Sequence, residues 1–211
     1  MKPLNSQLIL VAALSCAAAI SSMVATPQTA HAKSSAEKSE AKMEEATTKS
    51  EKRADEKTWN SAKILIKAPP KMVWDSVHEE RKHDPDLAYS KILEQGVNEC
   101  RLEQKFQLIP VLGTSVCEMH NKEVPGERID YKLLKSDRFK AMEGSWVLTP
   151  HSDGRYTMLE LTTHLDLGVP VPQMVMNSVT TKKLARRLTN VKKAAEHRHA
   201  QVAGAVTKTV E

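Results

Sequence analysis

Gly144-Ser-Trp-Val-Leu-Thr-Pro-His-Ser-Asp-Gly-Arg-Tyr-Thr-Met-Leu-Glu-Leu-Thr-Thr-His-Leu-Asp-Leu167 is the stretch whose reading decides the fold. Strand alternation puts Met142, Gly144, Trp146 and Leu148 on one face of a first strand. His151-Ser-Asp-Gly154 carries turn chemistry. A second strand then sets Leu159, Leu161, Thr163 and Leu165 against Tyr156, Met158, Glu160 and His164. Val169-Pro-Val-Pro172 leads directly into a long amphipathic helix. A last hairpin followed by one long helix predicts an α+β fold: a curved antiparallel sheet wrapped on a C-terminal helix, with a hydrophobic cavity between them.

Working upstream, Thr58–Lys67 alternates as a strand with Ala62, Ile64 and Ile66 on one face. A helix follows Pro69-Pro70, where proline is tolerated in a first turn, with Met72, Val73, Trp74 and Val77 as its apolar side. The helical pattern fades through His83-Asp84-Pro85-Asp86. Four strands are expected near 88–95, 99–108, 114–124 and 127–135, with turns at 95–98 and 125–127.

The Gly-Ser-Trp-Val-Leu-Thr-Pro run, the Asp-Gly turn and Val169-Pro-Val-Pro172 resemble the end of a START-like (helix-grip) domain. Ile64-Leu-Ile-Lys-Ala-Pro-Pro-Lys-Met-Val-Trp-Asp-Ser-Val77 is similar to the strand and helix that open such domains. The resemblance covers roughly residues 58–199 and is nearest to the polyketide cyclase / coenzyme Q-binding branch. It implies a binding protein for a lipid, quinone or other isoprenoid. The alternative from the same branch is a cyclase or aromatase acting on a polyketide-like substrate.

Outside that domain, Lys2, the apolar run Leu8–Ile20 and Ala30-His-Ala32 read as a signal peptide, residues 1–32. Export to the periplasm or cell envelope is therefore expected. A lipoprotein acylated on Cys16 is the rival, against which Ala13-Leu-Ser15 is a poor lipobox. Residues 33–57 carry seven basic and seven acidic side chains and one large apolar residue, Met43, which predicts a solvated charged linker. Residues 200–211, mostly small and polar, predict a flexible tail.

Loss of the signal leaves two thiols, Cys100 and Cys117. In an oxidising compartment an even count favours a disulfide, which by chain entropy contributes about 3 kcal/mol for a loop of this size. A symmetric turn near Pro110 would set Cys100 opposite roughly Asn121 instead, so the bond requires a bulge or a shifted register. The opposing reading is two buried thiols acting as small apolar groups. Neither cysteine belongs to a Cys-x-x-Cys pair, so no metal site is expected.

Charge is segregated. Residues 172–199 hold seven basic side chains against Glu196 alone, whereas residues 58–171 are slightly acidic. Leu184, Leu188, Val191 and Ala195 form an apolar stripe on the last helix, leaving Lys182, Lys183, Arg186, Arg187 and Lys193 as a basic face. Three readings compete for it: a solvated outer face, peripheral contact with an anionic membrane, and nucleic acid. Export and the lack of interleaved aromatic residues argue against nucleic acid.

The start of that helix is apolar on several sides. Phe106, Tyr131, Met142 and Trp146 on the sheet, roofed by Met174, Val175 and Val179, are the candidate cavity lining. No cofactor, metal site or catalytic signature is expected. Glu160, His164 and Tyr131 are the only acid–base grouping within reach, and an outward, solvated pair is the simpler reading of Glu160 and His164. The expectation is a monomeric carrier of a hydrophobic small molecule.

Overall fold

The computed structural model describes residues 43–109 and 113–208. Residues 1–32, read above as a signal peptide, the first part of the charged segment and residues 209–211 lie outside the described residues. Eight strands form one antiparallel sheet: β1 (Thr47–Lys52), β2 (Thr58–Ile66), β3 (Leu87–Gln95), β4 (Glu99–Ile109), β5 (Gly113–Val124), β6 (Arg128–Ser136), β7 (Ala141–His151) and β8 (Tyr156–Asp166). Two helices complete it, α1 (Pro70–Lys82) and α2 (Gln173–Lys208). The spatial order is β1-β2-β8-β7-β6-β5-β4-β3, so the first and last parts of the chain meet at β2 and β8 while a meander runs out to β3.

The deciding hairpin forms as its alternation requires. Trp146 faces Leu161 and Leu148 faces Leu159 across β7 and β8, and all four are buried. Ser152, Asp153 and Gly154 carry the chain round at positive φ, a conformation suited to short polar residues and glycine. Pro70 opens α1 without losing a backbone bond. Val73, Ser76 and Val77 are the residues α1 buries.

Two stretches read as irregular are ordered. Thr47–Lys52, assigned to the linker, pairs along its whole length with β2, from Thr47 opposite Lys63 to Lys52 opposite Thr58. Charge and low apolarity do not prevent this, because the backbone alone supplies the ladder and an edge strand needs no second buried face. Lys67 and Glu44 form an ion pair at 2.5 Å just beyond the strand. At the other end, α2 continues to Lys208, past the expected fraying point at residue 200. Ala203 and Ala205 are strong helix formers, and the preceding turns are anchored by buried Val191 and Ala195.

The long helix covers only part of the sheet. It packs on β1, β2 and β8 and against α1. One core cluster therefore joins Ile64, Ile66, Trp146 and Leu161 to Leu184, Leu188 and Val191 of α2. A second, centred on Leu102, Met119, Phe139 and Met142, lies under the start of α2 and takes Met176 against it. Tyr131 packs against both. Between and beyond these clusters the concave side of β3–β6 is left partly uncovered.

Candidate functional site

The uncovered concavity begins as a recess of about 130 Å³ at the seam of the two clusters. Its apolar wall includes Phe106, Met119, Met142, Trp146, Leu165 and Leu184. It continues into an open groove of about 500 Å³ between the end of α1 and the β3–β5 face, where Ile92, Val97 and Leu102 stand opposite His78 and Lys82. Arg81, Gln104 and Asn121 belong to both spaces. The recess alone is below the range of about 300–1,000 Å³ usual for small-molecule sites, and the groove lies within it.

The polar side of the recess is built by α1 and α2 together. The buried stripe of α1, Val73 and Val77, continues into Glu80 and Arg81. Arg187 on α2 donates through Nε to Glu80 Oε1 at 2.9 Å and through Nη2 to Glu80 Oε2 at 2.8 Å. Its Nη2 also lies 3.1 Å from Asp84 Oδ2, and its guanidinium sits over the Trp146 ring at 5.0 Å. Burial works against the Arg187 charge, but the Glu80 hydrogen bonds and the charge of Asp84 more than offset it and hold its pKa above the ordinary value. Next to this triad Asp86 pairs with Lys183 at 2.9 Å and with Arg186 at 3.4 Å.

These contacts redistribute the expected site. Phe106, Tyr131, Met142 and Trp146 line the recess, as their shared face requires. The roof differs. Met174 is 84% and Val175 50% exposed, and Val179 does not border the recess. The residues that cover it are Thr180, Lys183, Leu184 and Arg187. Stepping the Leu184 stripe back by fours reaches Thr180 and Met176, both turned inward, whereas Met174 and Val175 project from the other side of the first turn. The basic face divides as well. Lys183 and Arg187 are committed to Asp86, Glu80 and Asp84, Arg186 reaches Asp86 while staying half exposed, and Lys182 and Lys193 are open to solvent.

Cys100 and Cys117 are both free. Cys100 faces Asn121, and Cys117 faces Gln104, four residues along the same ladder. That offset is about 13 Å of strand, beyond the span of a disulfide. Burial pushes both thiols up from their ordinary value, Cys117 despite hydrogen bonds with Ser136 and Ser115. Intact-mass measurement after denaturing alkylation without reductant is expected to show both sites modified. In the folded protein Cys117 should react far more slowly than Cys100.

The acid–base trio does not assemble. Glu160 pairs with Lys63 at 2.9 Å, and the His164 ring is hydrogen-bonded to the Thr58 carbonyl at 2.9 Å and packs on Trp59. Tyr131 donates its hydroxyl to the Thr162 carbonyl at 3.2 Å, and burial raises its pKa. Among the described residues no group of three His, Cys, Asp or Glu side chains is arranged to hold a metal ion.

No family model and no curated protein matches the sequence. Solved structures do match. A STAR-related lipid transfer protein from Xanthomonas axonopodis aligns with TM-score 0.57 over 72% of this chain and 94% of its own, at 16% identity. Human StAR-related lipid transfer protein 5 aligns with TM-score 0.56 over 81% and 97%, at 14% identity. An aromatase/cyclase from a Streptomyces species aligns with TM-score 0.50 over 66% and 92%, at 16% identity. Sheet order, helix placement and these alignments define the fold: it is the START-like helix-grip fold.

Proposed function

We propose that this protein binds a hydrophobic or amphipathic small molecule, as a carrier and not as an enzyme, after export directed by residues 1–32. The observation that carries this reading is the recess at the seam of the two core clusters, walled by Phe106, Met119, Met142 and Trp146 and opening into the larger groove. A folded domain of this size ordinarily closes such a seam with side chains; here the long helix packs mainly on β1, β2 and β8, and the recess stays open between its Thr180–Arg187 face and the sheet. Lipid transfer by two of the fold relatives is in keeping with it.

Catalysis is the second reading, because charged and polar groups converge on the recess and one fold relative is an aromatase/cyclase. The bonding favours the carrier. Arg187, Asp84, Lys183 and Asp86 neutralise one another, and Tyr131 is tied to a backbone carbonyl, leaving no free acid–base pair at the recess wall.

Native mass spectrometry of the protein isolated from its own cell envelope tests the reading. A co-purifying apolar molecule is expected, retained by Val175→Arg because Val175 faces away from the recess, and lost on Met142→Arg. Loss on Val175→Arg with retention on Met142→Arg would place the ligand elsewhere.

A further inference from the structure

One cation at the junction of recess and groove has fewer partners than its chemistry demands. Arg81 closes the last turn of α1 with its side chain 18% exposed. A guanidinium offers five N–H donors in a planar fork. Its only hydrogen bond among the described residues is a long one, Nη1 to Glu123 Oε1 at 3.4 Å, and Glu123 is shared with His78, whose Nε2 lies 3.5 Å away. Arg187, by contrast, is held by two carboxylates, with Nε and Nη2 on Glu80 and Nη2 also beside Asp84. Burial pushes the Arg81 pKa down from its ordinary value, and the Glu123 charge opposes that shift only in part.

A second group waits beside it. Asn121 is 2% exposed, and among the described residues its side chain makes one hydrogen bond, a weak donation from Nδ2 to Cys100 Sγ at 3.9 Å. Both residues border the recess and the groove. Apolar walls lie on either side of this point, Phe106 and Met142 inward, Ile92 and Leu102 outward. A polar anchor between two apolar spaces selects an amphipath.

We infer that Arg81, with the Asn121 amide, is the headgroup anchor of this site and that the ligand class is an amphipath carrying a single carboxylate. The inference rests on the carrier reading above. A carboxylate matches one guanidinium fork in bidentate geometry. Glu123 limits the charge the site accepts: a doubly charged phosphate would meet its carboxylate, while Lys183 and Arg187 are already paired with acids.

Calorimetric titration of lipid-stripped protein with laurate and with 1-dodecanol separates the inference from its premise. The two probes share a chain and differ in the head. Wild type is expected to prefer laurate, and Arg81→Gln to weaken laurate by about 10-fold or more while leaving dodecanol within about twofold, the scale of a lost charge-assisted hydrogen bond. Arg81→Lys should fall between them. If Arg81→Gln does not fold by circular dichroism, Asn121→Leu reads the same selective loss. Equal losses for both probes, or an undiminished affinity for laurate, would overturn the anchor and leave the carrier reading standing. Failure of wild type to bind either probe would overturn both.

Discussion

Replacing Arg187 with methionine is expected to lower stability by about 3–5 kcal/mol, the cost of breaking a buried ion pair from one side. Its side chain is 20% exposed, and those of Glu80 and Asp84 only 7% and 5%. Removing the guanidinium leaves two carboxylates buried beside each other with no cation between them. It also strips the charge from the face of Trp146, a residue 1% exposed. For a domain of this size the melting temperature should fall by roughly 10 °C or more. The decisive variant is the triple change Arg187→Met, Glu80→Gln, Asp84→Asn. Neutralising all three groups removes the unpaired charges, so most of the lost stability should return, and urea unfolding of the single and triple variants measures it. A triple variant no more stable than the single one would show that packing, not charge, is what Arg187 supplies. The outcome matters for function because this triad joins α1 to α2 along the polar wall of the recess.

Gly144→Ala is expected to cost about 3 kcal/mol, at the upper end for overpacking, for a reason no surface glycine shares. Tyr131 on β6 stands directly opposite Gly144 on β7. Its ring crosses the glycine so that the hydroxyl reaches the Thr162 carbonyl on β8. A Cβ at residue 144 would lie 2.1 Å from that carbonyl oxygen, 2.4 Å from the Tyr131 hydroxyl oxygen and 2.6 Å from its ring carbon. The carbonyl belongs to a strand backbone and cannot step aside, so either Tyr131 leaves its place or the β7–β8 pairing opens. Because Tyr131 borders the recess, the change should also lower affinity for an apolar probe. Gly204→Ala is the matched control, with nothing near the added carbon. In an exposed helical turn it should leave stability unchanged or raise it by up to about 1 kcal/mol. Equal unfolding midpoints for the two variants would mean that β6, β7 and β8 do not pair in this register.

How much of this was legible in the sequence depends on the kind of interaction involved. Strands β2, β5, β7 and β8 were readable because each buries one face, and a period of two records that directly in Trp146 and Leu148 or Leu159 and Leu161. The alternation of β1 carries no such signal: Thr47–Lys52 is polar on both sides and forms through backbone pairing with β2. A reading that weighs side chains alone passes over it. The cysteines show the reverse. A symmetric turn near Pro110 already placed Cys100 opposite roughly Asn121, and Asn121 is its partner in the ladder; compartment and even count favoured a bond that strand geometry forbids.

The sequence by itself determined the helix-grip architecture, the apolar sheet face that walls the recess and the Leu184–Leu188–Val191–Ala195 stripe that holds α2 on it. These follow from local periodicity, which each segment carries within itself. Only the tertiary structure decided which side of the first α2 turn covers the recess, and that Lys183 and Arg187 turn toward it instead of to solvent. It alone brought Glu80, Arg81 and Asp84 to the interior, since a charge at the end of an apolar stripe looks like the helix terminating in water until its partner is known. For Glu80 and Asp84 that partner lies about 100 residues further along the chain, on another helix. Burial of a charge is a property of the pair, and the pair exists only once α1 and α2 have packed.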